Sequence, residues 1–398
     1  MANGGFRLAR LFGIELRVDW SLSIIFALIV FDLGAGVLPE WHPSWSAALR
    51  WGVAVAAAVL FFGSILAHEL SHALVAKAKG LSVPRITLFL FGGLAELERE
   101  PTSPGSEALI ALVGPLTSFA IGLASMLVVG TMTTPNEVLA VEDGVVDARV
   151  WLQTLGPVAT LLMWLGPINI ALALFNMVPG FPLDGGRVLR AVLWGATNDL
   201  QKATRWAAYA GRTVGWALMI MGVMNMFRGE LGHGLWLVLI GWFLSSAAQQ
   251  TIRHQLVTKA LEGVPVGQLM RTRFERVEPD MTIEALAKRV LVGDVDQKAF
   301  PVEREGVLLG LVCIKDFRRF PQGEWSEHKV SEIMTPASEL TMLQADVPAE
   351  RAAEELARRE IDNIPVVVES EDARPQLLGI VRRADILRWA YLTQQQPA

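Results

Sequence analysis

The stretch Ile65-Leu66-Ala67-His68-Glu69-Leu70-Ser71-His72-Ala73-Leu74 sets two histidines four residues apart, with a glutamate directly after the first. On a helix, positions i and i+4 face the same way, so both imidazoles can bind one Zn²⁺. Glu69 then lies beside the metal without needing to ligate it. There a carboxylate can take a proton from water and later deliver it to a leaving amine. The chain has six histidines (His42, His68, His72, His233, His254, His328) and a single cysteine, Cys313. A metal site must therefore use imidazole and carboxylate ligands, and no internal disulfide can form. Catalytic zinc normally has three protein ligands plus water. No third histidine lies shortly downstream, and the best remaining donor is Asp184, in Asn176-Met177-Val178-Pro179-Gly180-Phe181-Pro182-Leu183-Asp184-Gly185-Gly186-Arg187. The prolines there break a helix, which is tolerable at membrane depth only where the chain is buried or lines a wet cavity.

That depth follows from composition. The chain has 398 residues, 52% hydrophobic and 19% charged, with net charge −5 and mean hydropathy +0.39. The charge is unevenly spread. Residues 1–260 carry 17 basic and 16 acidic side chains, whereas residues 261–398 carry 18 and 24. A membrane part is thus followed by a soluble part, and no basic run suggests a nucleic-acid surface. Spanning the hydrocarbon takes about 20 apolar residues. Candidate spans are roughly 19–38, 50–76, 108–131, 157–178, 208–227 and 232–249; from Trp51 to Ala76 the sole charge is Glu69. Two histidines and a glutamate inside such a span cost several kcal/mol unless paired or coordinated. Basic flanks set orientation. Arg7, Arg10 and Arg17 precede the first span, Lys77, Lys79, Arg85 and Arg99 follow the second, and Arg253 and Lys259 follow the sixth. The third-to-fourth loop is acidic, with Glu137, Glu142, Asp143 and Asp147. Both termini are therefore expected in the cytoplasm of a multi-pass cell-membrane protein.

The paired motifs, H-E-x-x-H in one apolar helix and N-x-x-P-x-x-P-L-D-G in a later one, resemble those of the site-2 protease family of intramembrane zinc metalloproteases. The resemblance covers residues 1 to about 250. It implies one Zn²⁺ on His68, His72 and Asp184, Glu69 as general base, and hydrolysis in or near the transmembrane segment of a membrane-anchored protein. Asn176 matches the family's asparagine, which could bond the substrate backbone or a developing oxyanion, or simply pack the helix break. The segment Pro84–Leu97, with Gly92-Gly93 at its turn, reads as a β-hairpin and looks like the family's re-entrant hairpin. An exposed edge there could bind an extended substrate by strand addition; a plain structural loop is the other reading. Gly114-Pro115 resembles a family G-P element, for which a kink or close packing is the simpler account. A rival reading for the buried His, Glu and Asp is the cation site of a gated transporter or channel.

The soluble tail repeats itself. Val266-Gly267-Gln268-Leu269-Met270 recurs as Val330-Ser331-Glu332-Ile333-Met334, and Phe300-Pro301-Val302 as Ile364-Pro365-Val366. Gly310-Leu311-Val312 with Asp316 recurs as Gly379-Ile380-Val381 with Asp385, the extra residues falling in the polar stretch Glu369–Arg374. Each unit reads as helix, strand, strand, helix, and buries its sheet best by pairing. The tail resembles a tandem CBS-domain pair over about 263–390. Such pairs often bind adenosine nucleotides, with an Asp three residues after a Ser or Thr contacting the ribose. Asp316 and Asp385 match, but Cys313 and Arg382 occupy the Ser/Thr positions; Arg382 and Arg383 could still meet phosphate. The resemblance thus implies ATP, ADP or AMP as a ligand, or a scaffold for homodimerisation. The expected whole is a polytopic α-helical membrane protein with about six transmembrane helices, one re-entrant β-hairpin and a C-terminal α/β CBS pair. Its boundaries are 1–258 for the protease domain, 259–325 for repeat 1, and 326–398 for repeat 2 with its tail.

Overall fold

The computed structural model describes residues 5–90, 92–95, 100–132, 141–142, 145–146, 148–292, 297–369 and 375–394. Arg99, the loop acids Glu137, Asp143 and Asp147, the end of the expected hairpin beyond Ala95 and the repeat insertion at 370–374 lie outside them. The chain divides into two compact units, Met1–Ile252 and Arg253–Ala398.

The first unit begins with two strands, β1 (Phe6–Leu11) and β2 (Ile14–Val18), joined by the tight turn Phe12-Gly13. A helical span, α1, runs from Ser21 to Trp41 and is π-helical over Asp32–Val37. Helix α2 (Ala47–Ala78) follows, its N-terminus capped by the Ser46 hydroxyl, which accepts from the Leu49 N–H. At 1.5 Å per residue its 32 residues extend roughly 48 Å, ample for a span of about 30 Å. Strands β3 (Arg85–Phe89) and β4 (Gly92–Ala95) form an antiparallel hairpin, but Gly92 and Gly93, expected at its turn, instead open β4 opposite Phe89 and Leu88. Their sheet is larger than expected: β2 pairs parallel with β3, giving the order β1-β2-β3-β4 with β4 at one edge. Ile14, Leu16 and Ile86 on one face pack on Ala73 and Ala76 of α2, which fixes the hairpin beside the HExxH turn.

Helix α3 (Pro104–Met132) packs against α2, against α4 (Pro157–Asn176) and against the short α5 (Asp184–Thr197). The break between α4 and α5 holds Pro179 and Pro182, and the Phe181 N–H donates to the Ala207 carbonyl of α6 (Leu200–Phe227) at 3.1 Å. Helix α7 (Leu231–Leu261) ends the apolar part. Among the described residues five helices are long and apolar enough to cross a membrane: Ser21–Trp41 and the helices α2, α3, α4 and α7. The stretch expected as the fifth span forms α6, 28 residues long; Arg212, Asn225 and several glycines lower its hydropathy, and it is not among the five.

The second unit contains two repeats, each with a helix followed by two strands. The first has helix α8 (Ile283–Val292), strands β5 (Ala299–Arg304) and β6 (Val307–Cys313), and a 3₁₀ turn over Ile314–Arg319 where a helix was expected. The second has α9 (Ala349–Arg358), β7 (Asn363–Glu369), β8 (Pro375–Arg382) and α10 (Arg383–Gln394). Each of the two apolar cores draws on both repeats: Phe300, Val302 and Val312 pack with Val330 and Ile333, and Ile364, Val366 and Val381 pack with Val266 and Leu269. The repeats exchange backbone bonds, Arg271 pairing with Ile380.

Candidate metal centre

His68 and His72 stand one turn apart on α2, their rings 4.8 Å apart, and both are buried. Asp184 enters from the first turn of α5, 13% exposed. Its Oδ2 lies 3.1 Å from Nε2 of His68 and 3.1 Å from Nε2 of His72, and the two Nε2 atoms are 3.2 Å apart. Among the described residues these three form the group of His, Cys, Asp and Glu side chains whose ligand atoms all lie within 4.8 Å of one another. The far sides of the rings are also held. His72 Nδ1 is 2.5 Å from the Ile110 carbonyl, and His68 Nδ1 is 2.9 Å from the Ser118 hydroxyl, both on α3.

A carbonyl oxygen only accepts, so His72 Nδ1 must carry the hydrogen, and in the neutral ring Nε2 is then a bare lone pair. That lone pair faces a carboxylate oxygen and a second imidazole. With both rings neutral and their Nε2 atoms bare, such acceptors directed at one another at 3.1–3.2 Å are relieved by a cation or a proton between them. Tetrahedral zinc with ligands at 2.0–2.2 Å separates its donors by roughly 3.3 Å, so the donor set fits that ion in type, number and spacing.

Two glycines shape the surroundings. A Cβ on Gly114 would overlap Nε2 of both histidines, so α3 approaches the donor atoms where a side chain is missing. A Cβ on Gly93 would overlap Glu69, whose Oε1 would lie 3.0 Å from it; β4 is thereby laid against the glutamate. The sequence singled out Gly93 with Gly92, but assigned Gly114 no chemistry. Ser118 and Ile110 were also missed, since a serine and a carbonyl carry no distinctive pattern. In retrospect positions 107, 110, 114 and 118 share one face of α3. Asn176, at the end of α4, donates its Nδ2 to the Leu172 carbonyl at 3.1 Å and belongs, in this state, to its own helix.

In the tail Asp316 accepts from the Cys313 N–H at 2.8 Å, and burial pushes the Cys313 thiol up to about 11, so it is inert near neutrality. Asp385 receives Arg382 Nε at 2.7 Å and Arg271 at 3.1 Å. Burial alone would raise its carboxyl, but these hydrogen bonds outweigh burial and hold it below the ordinary range. Arg382 lines a cleft with Arg271, Arg273, Phe274 and Lys298.

A bundle of apolar helices carrying a buried His–His–carboxylate cluster, followed by a paired α/β repeat, defines a membrane-embedded metalloenzyme with a CBS tail. The family model described as Peptidase family M50 matches residues 56–222, and the CBS domain model matches 266–323 and 330–391. A Mycobacterium tuberculosis protein named zinc metalloprotease Rip3 is 31% identical over 385 residues, 96% of this chain and 91% of that protein. Zinc metalloprotease sll0528 of Synechocystis is 30% identical over 387 residues, covering 97% and 95%. The solved site-2 protease of Methanocaldococcus jannaschii is 27% identical and covers 62% of this chain and 95% of that one, at a TM-score of 0.41. The chain belongs to peptidase family M50: it is a multi-pass zinc metalloprotease of the site-2 type with tandem CBS domains. The family is one of peptidases, which favours hydrolysis over the cation-transport alternative.

Proposed function

We propose that the chain is an intramembrane endopeptidase that holds one Zn²⁺ on His68, His72 and Asp184 and cuts membrane-anchored proteins in or near their transmembrane segment. The observation that carries this reading is the convergence of three acceptor atoms, with the far nitrogen of His72 committed to the Ile110 carbonyl. Zinc in such a site supplies Lewis acidity toward the scissile carbonyl and the attacking water. Glu69 accepts the water's proton on its carboxylate and returns it to the leaving amine. The hairpin β3–β4 is read as re-entrant. An extended substrate pairing with the free edge of β4, at Gly92 and Gly93, passes the Glu69 carboxylate with its backbone unwound. Asn176 becomes a substrate ligand by releasing Leu172.

In this reading residues 1–258 form the protease domain, α6 is a sixth span, and both termini and the CBS pair are cytoplasmic, as the basic flanks require. The repeats, 259–325 and 326–398, form a homodimerisation module that also answers to ATP, ADP or AMP. The cationic cleft supports an anionic ligand, but it encloses only about 30 Å³. Nucleotide entry therefore requires Arg271 and Arg382 to leave Asp385 and turn to the phosphates.

The test compares the purified full-length chain with Glu69→Gln in detergent. Zinc near one per chain is expected in both, with cleavage of single-span substrates about 10²–10⁴-fold slower in the variant. A chelator should abolish wild-type cleavage and added zinc restore it. Equal cleavage by both proteins would overturn the role of Glu69, and absence of zinc from the wild type would overturn the site.

A further inference from the structure

Helix α3 carries a second buried group seven residues before Gly114. Glu107 is 0% exposed, and Arg190 of α5 is 7% exposed. Arg190 donates from Nε to Glu107 Oε1 at 2.5 Å, with a terminal nitrogen at the same distance; its other terminal nitrogen lies 3.5 Å from Glu100. The second carboxylate oxygen of Glu107 is buried without a hydrogen-bond partner among the described residues. The same guanidinium lies over the ring of Phe181, 5.3 Å from its centre. Arg190 therefore touches α3 and also the loop that delivers Asp184.

The two ends of this contact are the two supports of the metal centre. Helix α3 supplies the Ile110 carbonyl, the Ser118 hydroxyl and the Gly114 notch on the face that holds Glu107. Helix α5 begins at Asp184. A buried ion pair is a poor stabiliser beside apolar side chains of equal size. What it supplies is direction, since charge-assisted bonds from the rigid guanidinium restrain the register in which the two helices turn and slide against each other. That register determines where the Asp184 carboxylate stands relative to the imidazoles.

We propose that Glu107 and Arg190 are a positioning pair that sets the third zinc ligand, by locking α5 to the helix that orients the histidines. The proposal rests on the reading of His68, His72 and Asp184 as the zinc site. It concerns metal affinity first and cleavage as a consequence, because outer partners of metal ligands are typically worth 10–100-fold in affinity.

The experiment measures zinc affinity of the full chain in detergent by competition with a chromophoric chelator, alongside cleavage of a single-span substrate. Arg190→Gln is expected to weaken zinc binding by about 10–100-fold, and the exchanged pair Glu107→Arg with Arg190→Glu to recover most of it. If Arg190→Gln does not fold, the neutral pair Glu107→Gln with Arg190→Met removes the buried charge together with its partner. The same weakening is then expected. Wild-type affinity in the folded Arg190→Gln or neutral-pair protein would overturn the proposal, as would failure of the exchanged pair to bind more tightly than Arg190→Gln where both fold. Asp184→Ala separates the two readings. Loss of zinc there with unchanged affinity in the pair variants sinks the positioning role alone, whereas retained zinc in Asp184→Ala sinks the site itself.

Discussion

Gly114 and Gly93 both border the candidate site but meet different side chains there, and a methyl group added to each should do different damage. At Gly114 the added carbon would meet His72 Nε2 and His68 Nε2, two of the three atoms proposed to hold the metal. Gly114→Ala should therefore lower zinc affinity by about 10–100-fold, read by chelator competition. At Gly93 it would meet the Glu69 side chain, proposed to transfer protons without ligating. Gly93→Ala should leave zinc affinity within about two-fold and cut kcat by about 10²-fold, the usual result of displacing a reacting group by about 1 Å. Zinc loss in Gly93→Ala, or full cleavage in Gly114→Ala, would contradict the assignment. His68, Glu69 and His72 were legible in the sequence because helix geometry alone fixes what i and i+4 share. Gly114 was not, because a Gly-Pro pair in a helix has a sufficient explanation as a kink, and nothing local shows that two imidazoles lie across from it.

At the scale of elements the same asymmetry holds. The β3–β4 hairpin was readable from β-branched residues around Gly92-Gly93, but β1 and β2 were not. Their turn, Phe12-Gly13, has φ of 51° and 80°, a geometry usually marked by Asn-Gly, and a phenylalanine there gives no turn signal. The repeats of the tail were visible as recurring motifs, whereas the tie between them was not. Asp385 of α10 accepts from Arg271 in the other repeat and from Arg382 beside it, so one carboxylate joins both. Its folded-state value is depressed by those bonds in spite of burial. Its contribution is therefore fully present above the unfolded value of about 3.9 and is lost as pH falls through the folded value. Melts of residues 253–398 expressed alone, followed by circular dichroism, should show wild type above Asp385→Asn by a constant margin from pH 7 to about 5. The margin should close below about pH 4. A margin independent of pH down to about 3 would mean that the carboxylate's charge is not what ties the repeats.

For the whole molecule, α6 decides on which side of the membrane the tail lies. Five crossings put Arg7, Arg10 and Arg17 on one side and Arg253 and Lys259 on the other; six put them together. The basic flanks favour the second arrangement. Low hydropathy does not forbid it, because a helix flanked by others need not be apolar all round. The buried positions of α6 are small (Ala203, Ala207, Ala208, Gly211, Gly215), and its 28 residues reach roughly 42 Å. Arg212, the charge deepest in the helix, lies over the Tyr209 ring at 5.8 Å. Topology reporters settle the count. A periplasm-active phosphatase fused after Gly229, between α6 and α7, should be active, and the same fusion after residue 259 silent. A fluorescent protein that matures only in the cytoplasm should give the reverse. Silence at Gly229 with activity at 259 would leave α6 on the cytoplasmic face and put the CBS pair outside. Cytoplasmic nucleotides would then be out of its reach, and regulation of the protease by them would fall together with the sixth span.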